Sequence, residues 1–132
     1  MPHNQHVMGG IVAYLTIDGA VKASEFYKKA FQAEVAALHP PDDKGRTMHA
    51  HLHINGNSLM LADAYPEHGH SLEKPAAFTL TLPVNDVDKW YSRAVSAGCT
   101  SVMAPENMFW GDRHAQVKDP FGVLWGLNGP TR

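Results

Sequence analysis

The 132-residue chain has one cysteine, Cys99, so it forms no internal disulfide, and that usage fits a reducing compartment. It has no excess of positive charge. Eleven Lys and Arg stand against 13 Asp and Glu, for a net charge of −2 and an isoelectric point near 6.5. Nothing there neutralises a run of phosphates, so nucleic acid is not an expected partner. No apolar run approaches the ~20 residues that a membrane-spanning helix needs, so no membrane partner is expected either. Residues 1–9 contain no charged segment followed by an apolar one, so a signal peptide is not expected and the cytoplasm is the expected compartment. There is no phosphate loop, dinucleotide fingerprint or Ser-His-Asp arrangement. At 44% hydrophobic and 18% charged, the chain is not a disordered tail. A single domain of this length buries roughly two-thirds of its unfolded surface.

What is present is an internal repeat and nine histidines. Val87, Trp90, Tyr91, Ala94 and Val95 follow the i, i+3, i+4, i+7, i+8 spacing of one helical face. Asn85 or Asp86 can cap this helix, and Gly98 follows its end. Each position minus 64 gives Ala23, Phe26, Tyr27, Ala30 and Phe31, which is the same face again. Ile11–Ile17 and Phe78–Val84 precede the two helices and alternate as strands, with Pro83 suited to an edge or a strand end. Three strand-like runs follow each helix. They are Glu34–Leu38, Met48–Ile54 and Ser58–Asp63 in the first half, and Thr100–Ala104, Arg113–Lys118 and Val123–Asn128 in the second. Asn55-Gly56 is a hairpin signal for a type I′ turn, and Asp119-Pro-Phe-Gly122 reads as a four-residue structural turn. Loops at Pro40–Arg46 and Pro105–Asp112 precede the third strand of each half. The expectation is a single α+β domain over 1–132. Module one spans about 10–64, the linker 65–77 and module two about 78–128, and each module reads β-α-β-β-β.

Such a tandem resembles the vicinal oxygen chelate superfamily, which includes glyoxalase I, bleomycin-resistance proteins, fosfomycin-resistance enzymes and extradiol dioxygenases. The likeness covers about Gly10 to Leu127. It is carried by Ser24-Glu-Phe-Tyr-Lys-Lys-Ala-Phe31 and Asp119-Pro-Phe-Gly122. Met48-His-Ala50, Leu59-Met-Leu-Ala-Asp63 and Phe109-Trp-Gly-Asp-Arg113 resemble the PhnB-like subfamily more narrowly. The resemblance implies curled mixed sheets with helices outside, a small organic ligand in the concave face, and a homodimer. It also implies four metal-ligand positions, on the first and last strand of each module. Those positions fall at Val12, Met60 (or Leu61 after a one-residue slip), Thr79 and Gly126. None offers an imidazole, carboxylate or thiolate, so the glyoxalase metal site and its lyase activity are not expected.

His49-Ala-His51-Leu-His53 offers a different donor set, with three imidazoles at alternate strand positions. Around an Asn55-Gly56 turn, His53 opposes Ser58, His51 opposes Met60 and His49 opposes Ala62. The other face then carries Ala50, Leu52, Ile54, Leu59 and Leu61. The histidines are either ligands for Zn, Ni or Fe in a metal-dependent lyase, isomerase, dioxygenase or transferase, or a hydrogen-bonding pocket wall. His51 is the first ligand if a metal binds, with His49 or His53 beside it. Tyr14, Thr16, Thr79 and Met60 are expected pocket residues. Trp110 offers a stacking face. The expected register places Arg113 opposite Asn128, near the rim of the second cup. Cys99 has no base beside it and is not expected to be a nucleophile. His68-x-His70 lies in the linker and reads as solvated. His3, His6, His39 and His114 show no ligand spacing.

Overall fold

A computed structural model describes residues 6–132. The expected order of elements is present. The first half contains β1 (Ala13–Ile17), α1 (Ala20–Phe31), β2 (Glu34–Leu38), β3 (Ala50–Ile54) and β4 (Asn57–Asp63). The second contains β5 (Leu80–Pro83), α2 (Val87–Ala97), β6 (Thr100–Asn107), β7 (Asp112–Lys118) and β8 (Leu124–Pro130). The chain divides into two compact units. One comprises residues 6–28 and Gln32–Glu73, the other Lys29–Phe31 and Lys74–Arg132. Among the described residues no helix is long and apolar enough to cross a membrane.

Each unit holds one mixed four-stranded sheet. In the first the strand order is β1-β4-β3-β2, with β1 parallel to β4 and the other pairs antiparallel. Asn55 and Gly56 both take positive φ, 51° and 77°, as a type I′ turn requires, and the hairpin closes in the expected register. Leu15, Ile17, Ala50, Leu52, Ile54, Leu59 and Leu61 fall on one face and are all buried. Each large aliphatic side chain among them contributes about 1.5–3 kcal/mol on leaving water. The helix start at Gly19 has no cap of its own. Asp63 supplies it from the end of β4, its Oδ1 accepting from Gly19 N and Ala20 N while Oδ2 accepts from Thr47 N.

The second sheet repeats the plan as β5-β8-β7-β6, with β5 parallel to β8. Pro83 sits on its edge strand, where a missing N–H costs least. Asp86 caps α2 by accepting from Lys89 N, and Gly98 follows the helix. Asp119 is the counterpart of Asp63. Its Oδ1 accepts from Phe121 N and Val123 N, and its Oδ2 from Trp125 Nε1.

Two expectations are corrected here. The loop expected from Pro105 is partly strand, since β6 runs on to Asn107. The β7–β8 register is also one residue longer than expected. Arg113 pairs with Gly129, and His114 pairs with Asn128. The cause is the Asp119 carboxylate, which gathers the backbone through Val123 into the turn. A shift of one residue exchanges the two faces of a strand.

Candidate functional site

The face of the first sheet opposite its apolar core is built from β1, β4 and β3. Tyr14 pairs with Met60 and Thr16 with Ala62 across β1 and β4, and His51 sits opposite Met60 on β3. A cavity of about 420 Å³ opens at the Thr16–Ala62 end of this face, with Tyr14 and Met48 in its wall. A short 3-10 turn, Pro66–His68, closes the far side with Tyr65, His68 and His70. These residues are not a loose linker. Tyr65 and His70 exchange backbone hydrogen bonds of 2.7 and 3.0 Å. Arg46 pins the turn, its guanidinium lying 4.3 Å from the Tyr65 ring centre and bonding Glu67 through both terminal nitrogens at 3.2 and 2.8 Å. Its Nε donates to Asp42 at 3.1 Å. His68 and His70 are exposed, as expected of solvated histidines, and both also line the cavity. Their spacing alone carried no sign of this, since Arg46 and Glu67 lie 21 residues apart.

The electrostatics follow from these contacts. The Arg46 hydrogen bonds hold the Glu67 carboxyl down to about 2. Asp42 is lowered too, first by the Arg46 backbone N–H. Burial raises the phenols of Tyr14 and Tyr65. The Asp63 carboxylate also borders the cavity, but its oxygens accept the three backbone N–H groups named above. The remaining wall offers hydroxyls, imidazoles and apolar surface.

The three strand histidines share a neighbourhood without converging. His49 precedes β3, and its Nδ1 is 2.8 Å from Tyr14 Oη. His51 is 3% exposed, with its Nε2 2.7 Å from Ser58 Oγ. Ser58 Oγ also accepts from Met8 N at 2.8 Å. His53 donates from Nε2 to the His6 carbonyl at 2.8 Å. The His51 and His53 rings meet nearly perpendicular, 4.9 Å between centres. Burial, followed by the charges of His53 and His49, lowers the pKa of His51. Among the described residues no group of three or more His, Cys, Asp or Glu is placed to hold a metal ion. Each imidazole already serves a different partner, so the set does not fit a three-ligand metal centre.

In the second unit the register decides which residues share a face. Arg113 does not reach the Gly126 face. It forks onto Asp88 of α2 with bonds of 2.7 and 3.0 Å and bonds Asn107 Oδ1 at 3.2 Å, which corrects the expected ligand fork. His114 takes its place on the Gly126 face, in the row with Gln116. Thr79 and Thr81 stand over Gly126. Trp110 is half-exposed, its ring centre 6.0 Å from that of His114. His114 was missed in the sequence because its role depends on the one-residue register. Cys99 is buried, and burial pushes its thiol up to about 12, which fits an inert core residue. His3 lies outside the described residues.

Comparison with known proteins places these features in a lineage. Residues 5–127 match the family model described as the Glyoxalase/Bleomycin resistance protein/Dioxygenase superfamily. An uncharacterised protein of Mycobacterium bovis is 42% identical over 126 residues, covering 90% of this chain and 82% of its own length. The crystal structure of a Pseudomonas aeruginosa protein superposes with a TM-score of 0.75 at 25% identity, over 94% of this chain and 99% of the other. A Bacillus cereus structure described as a putative 3-demethylubiquinone-9 3-methyltransferase, PhnB protein, superposes with a TM-score of 0.69 at 21% identity. It covers 92% of this chain and 99% of its own, and that likeness is one of fold.

Proposed function

The chain belongs to the glyoxalase/bleomycin resistance protein/dioxygenase superfamily, and from that premise we propose that it is a PhnB-like protein that binds a small organic molecule in the cavity of module one. The observation that carries this reading is the 420 Å³ cavity, a volume within the usual range for small-molecule sites. Its chemistry sets the ligand class. Met48, Ala62 and the Tyr65 ring supply apolar wall, while Tyr14, Thr16, His68 and His70 supply hydrogen-bonding groups. The nearby Arg46 is tied to acidic partners, so the wall suits an uncharged molecule better than a phosphate or polycarboxylate. The PhnB-like assignment rests on the segments around His49, Met60 and Trp110, together with the shared fold. A metal-dependent enzyme built on His49, His51 and His53 is the less supported reading, because those side chains face separate partners.

The test is ligand-observed NMR with a set of neutral aromatic fragments on the wild type and on Ala62→Phe. Ala62 lies in the wall, so phenylalanine there fills the cavity. Fragments that bind the wild type and lose binding in the folded variant support the reading. Binding that survives the filled cavity removes it.

A further inference from the structure

One wall of the module-one cavity is held in place by a side chain outside the turn that forms it. The Tyr65–His70 turn closes its backbone hydrogen bonds on itself. Tyr65 N donates to His70 O at 2.7 Å, His70 N to Tyr65 O at 3.0 Å, His68 N to Tyr65 O at 2.9 Å and Gly69 N to Pro66 O at 3.1 Å. Gly69 takes a φ of 83°, a conformation that glycine adopts freely. Pro66 to His70 are all exposed, so Tyr65 is the turn's one buried side chain. Among the described residues, the hydrogen bonds that leave the turn are the two that Arg46 donates to Glu67. The same guanidinium lies 4.3 Å from the centre of the Tyr65 ring. Arg46 is itself fixed independently of the turn. Its Nε donates to Asp42 Oδ2 at 3.1 Å, its backbone N–H donates to Asp42 Oδ1 at 2.9 Å, and its carbonyl accepts from Asp42 N at 2.8 Å. It can therefore release Glu67 and keep its own place.

We propose that Arg46 is a positioning residue that sets the size of ligand the cavity admits, through the wall it makes of the Tyr65–His70 turn. The proposal rests on the reading of this cavity as a ligand site. With the fork and the ring contact in place, Tyr65, His68 and His70 stand in the wall and the cavity holds about 420 Å³. When Arg46 lets go, the turn moves as a closed unit, because its own backbone bonds do not involve Arg46. The chain after it, residues 71–76, has no helix or strand to resist that movement. The site then takes a longer molecule, while a short one loses its contact with Tyr65. The Glu67 side chain is 47% exposed, so the pair is weak enough to open and salt reaches it.

Phenol and 4-phenylphenol are the probes, since both are uncharged near neutral pH and they differ by one ring. Tyr65 is followed by ¹⁹F NMR of the full chain carrying 3-fluorotyrosine, with its signal identified by Tyr65→Phe. Without ligand, Glu67→Gln is expected to move the Tyr65 signal toward that of free 3-fluorotyrosine and to leave those of Tyr27 and Tyr91 in place. Glu67 is exposed, so this substitution does not threaten folding. Molar sodium chloride is expected to move the Tyr65 signal in the same direction in the wild type and to add little in Glu67→Gln. Glu67→Gln is also expected to raise the affinity for 4-phenylphenol relative to phenol by about 2- to 5-fold, the range for one exposed ion pair. Arg46→Gln combined with Glu67→Gln is expected to match Arg46→Gln alone, because the two residues act through one contact. An unmoved Tyr65 signal, or an unchanged affinity ratio with phenol bound to the wild type, overturns the proposal and leaves the binding reading standing. If neither probe binds the wild type, the proposal falls together with the reading of the cavity as a site for neutral aromatics.

Discussion

Replacing Asp63 by alanine tests whether one buried carboxylate holds the cavity frame together. Asp63 is 6% exposed and accepts from Gly19 N at 2.8 Å, Ala20 N at 3.3 Å and Thr47 N at 2.8 Å. The first two groups belong to the start of α1. Losing a cap there costs about 1 kcal/mol, since water can still reach part of it. Thr47 is fully buried, so its N–H would lose its partner where water does not enter, at about 1–3 kcal/mol. The sum is about 3 kcal/mol, a large share of the ~5–15 kcal/mol that holds a domain folded. For a chain of this size that lowers Tm by about 10 °C. Asp63→Asn keeps an acceptor for the helix but turns an amide N–H₂ toward Thr47, so about 2 kcal/mol is expected. Urea unfolding followed by circular dichroism, with Tm from calorimetry, measures both. A loss below about 1 kcal/mol in the alanine variant would refute the assignment of Asp63 as a shared cap. The effect should reach function as well. Thr47 precedes Met48 in the cavity wall, so fragments that bind the wild type should bind Asp63→Ala more weakly.

Other consequences follow from the same geometry. His51 is held neutral by burial, so its contribution to stability is present above the ordinary imidazole value of 6.5 and lost as the pH falls below it. The urea midpoint should therefore drop more between pH 7.5 and 5.5 in the wild type than in His51→Gln, and equal drops would count against this. Calorimetric titration with Zn²⁺, Ni²⁺ and Fe²⁺ should reveal no site that His51→Ala abolishes, because Ser58 and Tyr14 already engage His51 and His49. A stoichiometric site lost in that variant would restore the metal reading. The resemblance implies metal-ligand positions at Val12, Met60 (or Leu61), Thr79 and Gly126, none with a metal-binding side chain, so no appreciable lyase turnover of the methylglyoxal–glutathione hemithioacetal is expected, and nickel- or zinc-stimulated turnover would contradict that. We also propose a homodimer, on the resemblance and on exposed apolar side chains such as Ile11 (91%) and Phe109 (95%). Light scattering giving the 14.5 kDa mass of one chain at micromolar concentration would overturn it.

Much of the fold was legible in local order. The 64-residue offset between two helical faces, the alternation of the strands and Asn55-Gly56 were enough to place nearly every element and the β3–β4 register. These signals are short-range, since helix faces, strand faces and I′ turns depend on residues a few positions apart. The apolar face of Ala50, Leu52, Ile54, Leu59 and Leu61 followed from that register. What the sequence could not decide were the contacts between distant residues. Arg46 reaching Glu67 turned a presumed linker into a cavity wall. The Asp119 carboxylate lengthened a turn by one residue, which exchanged Arg113 for His114 on the Gly126 face. The period of a strand is two, so a single residue of slip is enough to change which side chain faces a ligand. The partners of the three strand histidines came from β1, from β4 and from the segment preceding β1. Only the folded chain could show that they serve separate hydrogen bonds and do not converge on one ion.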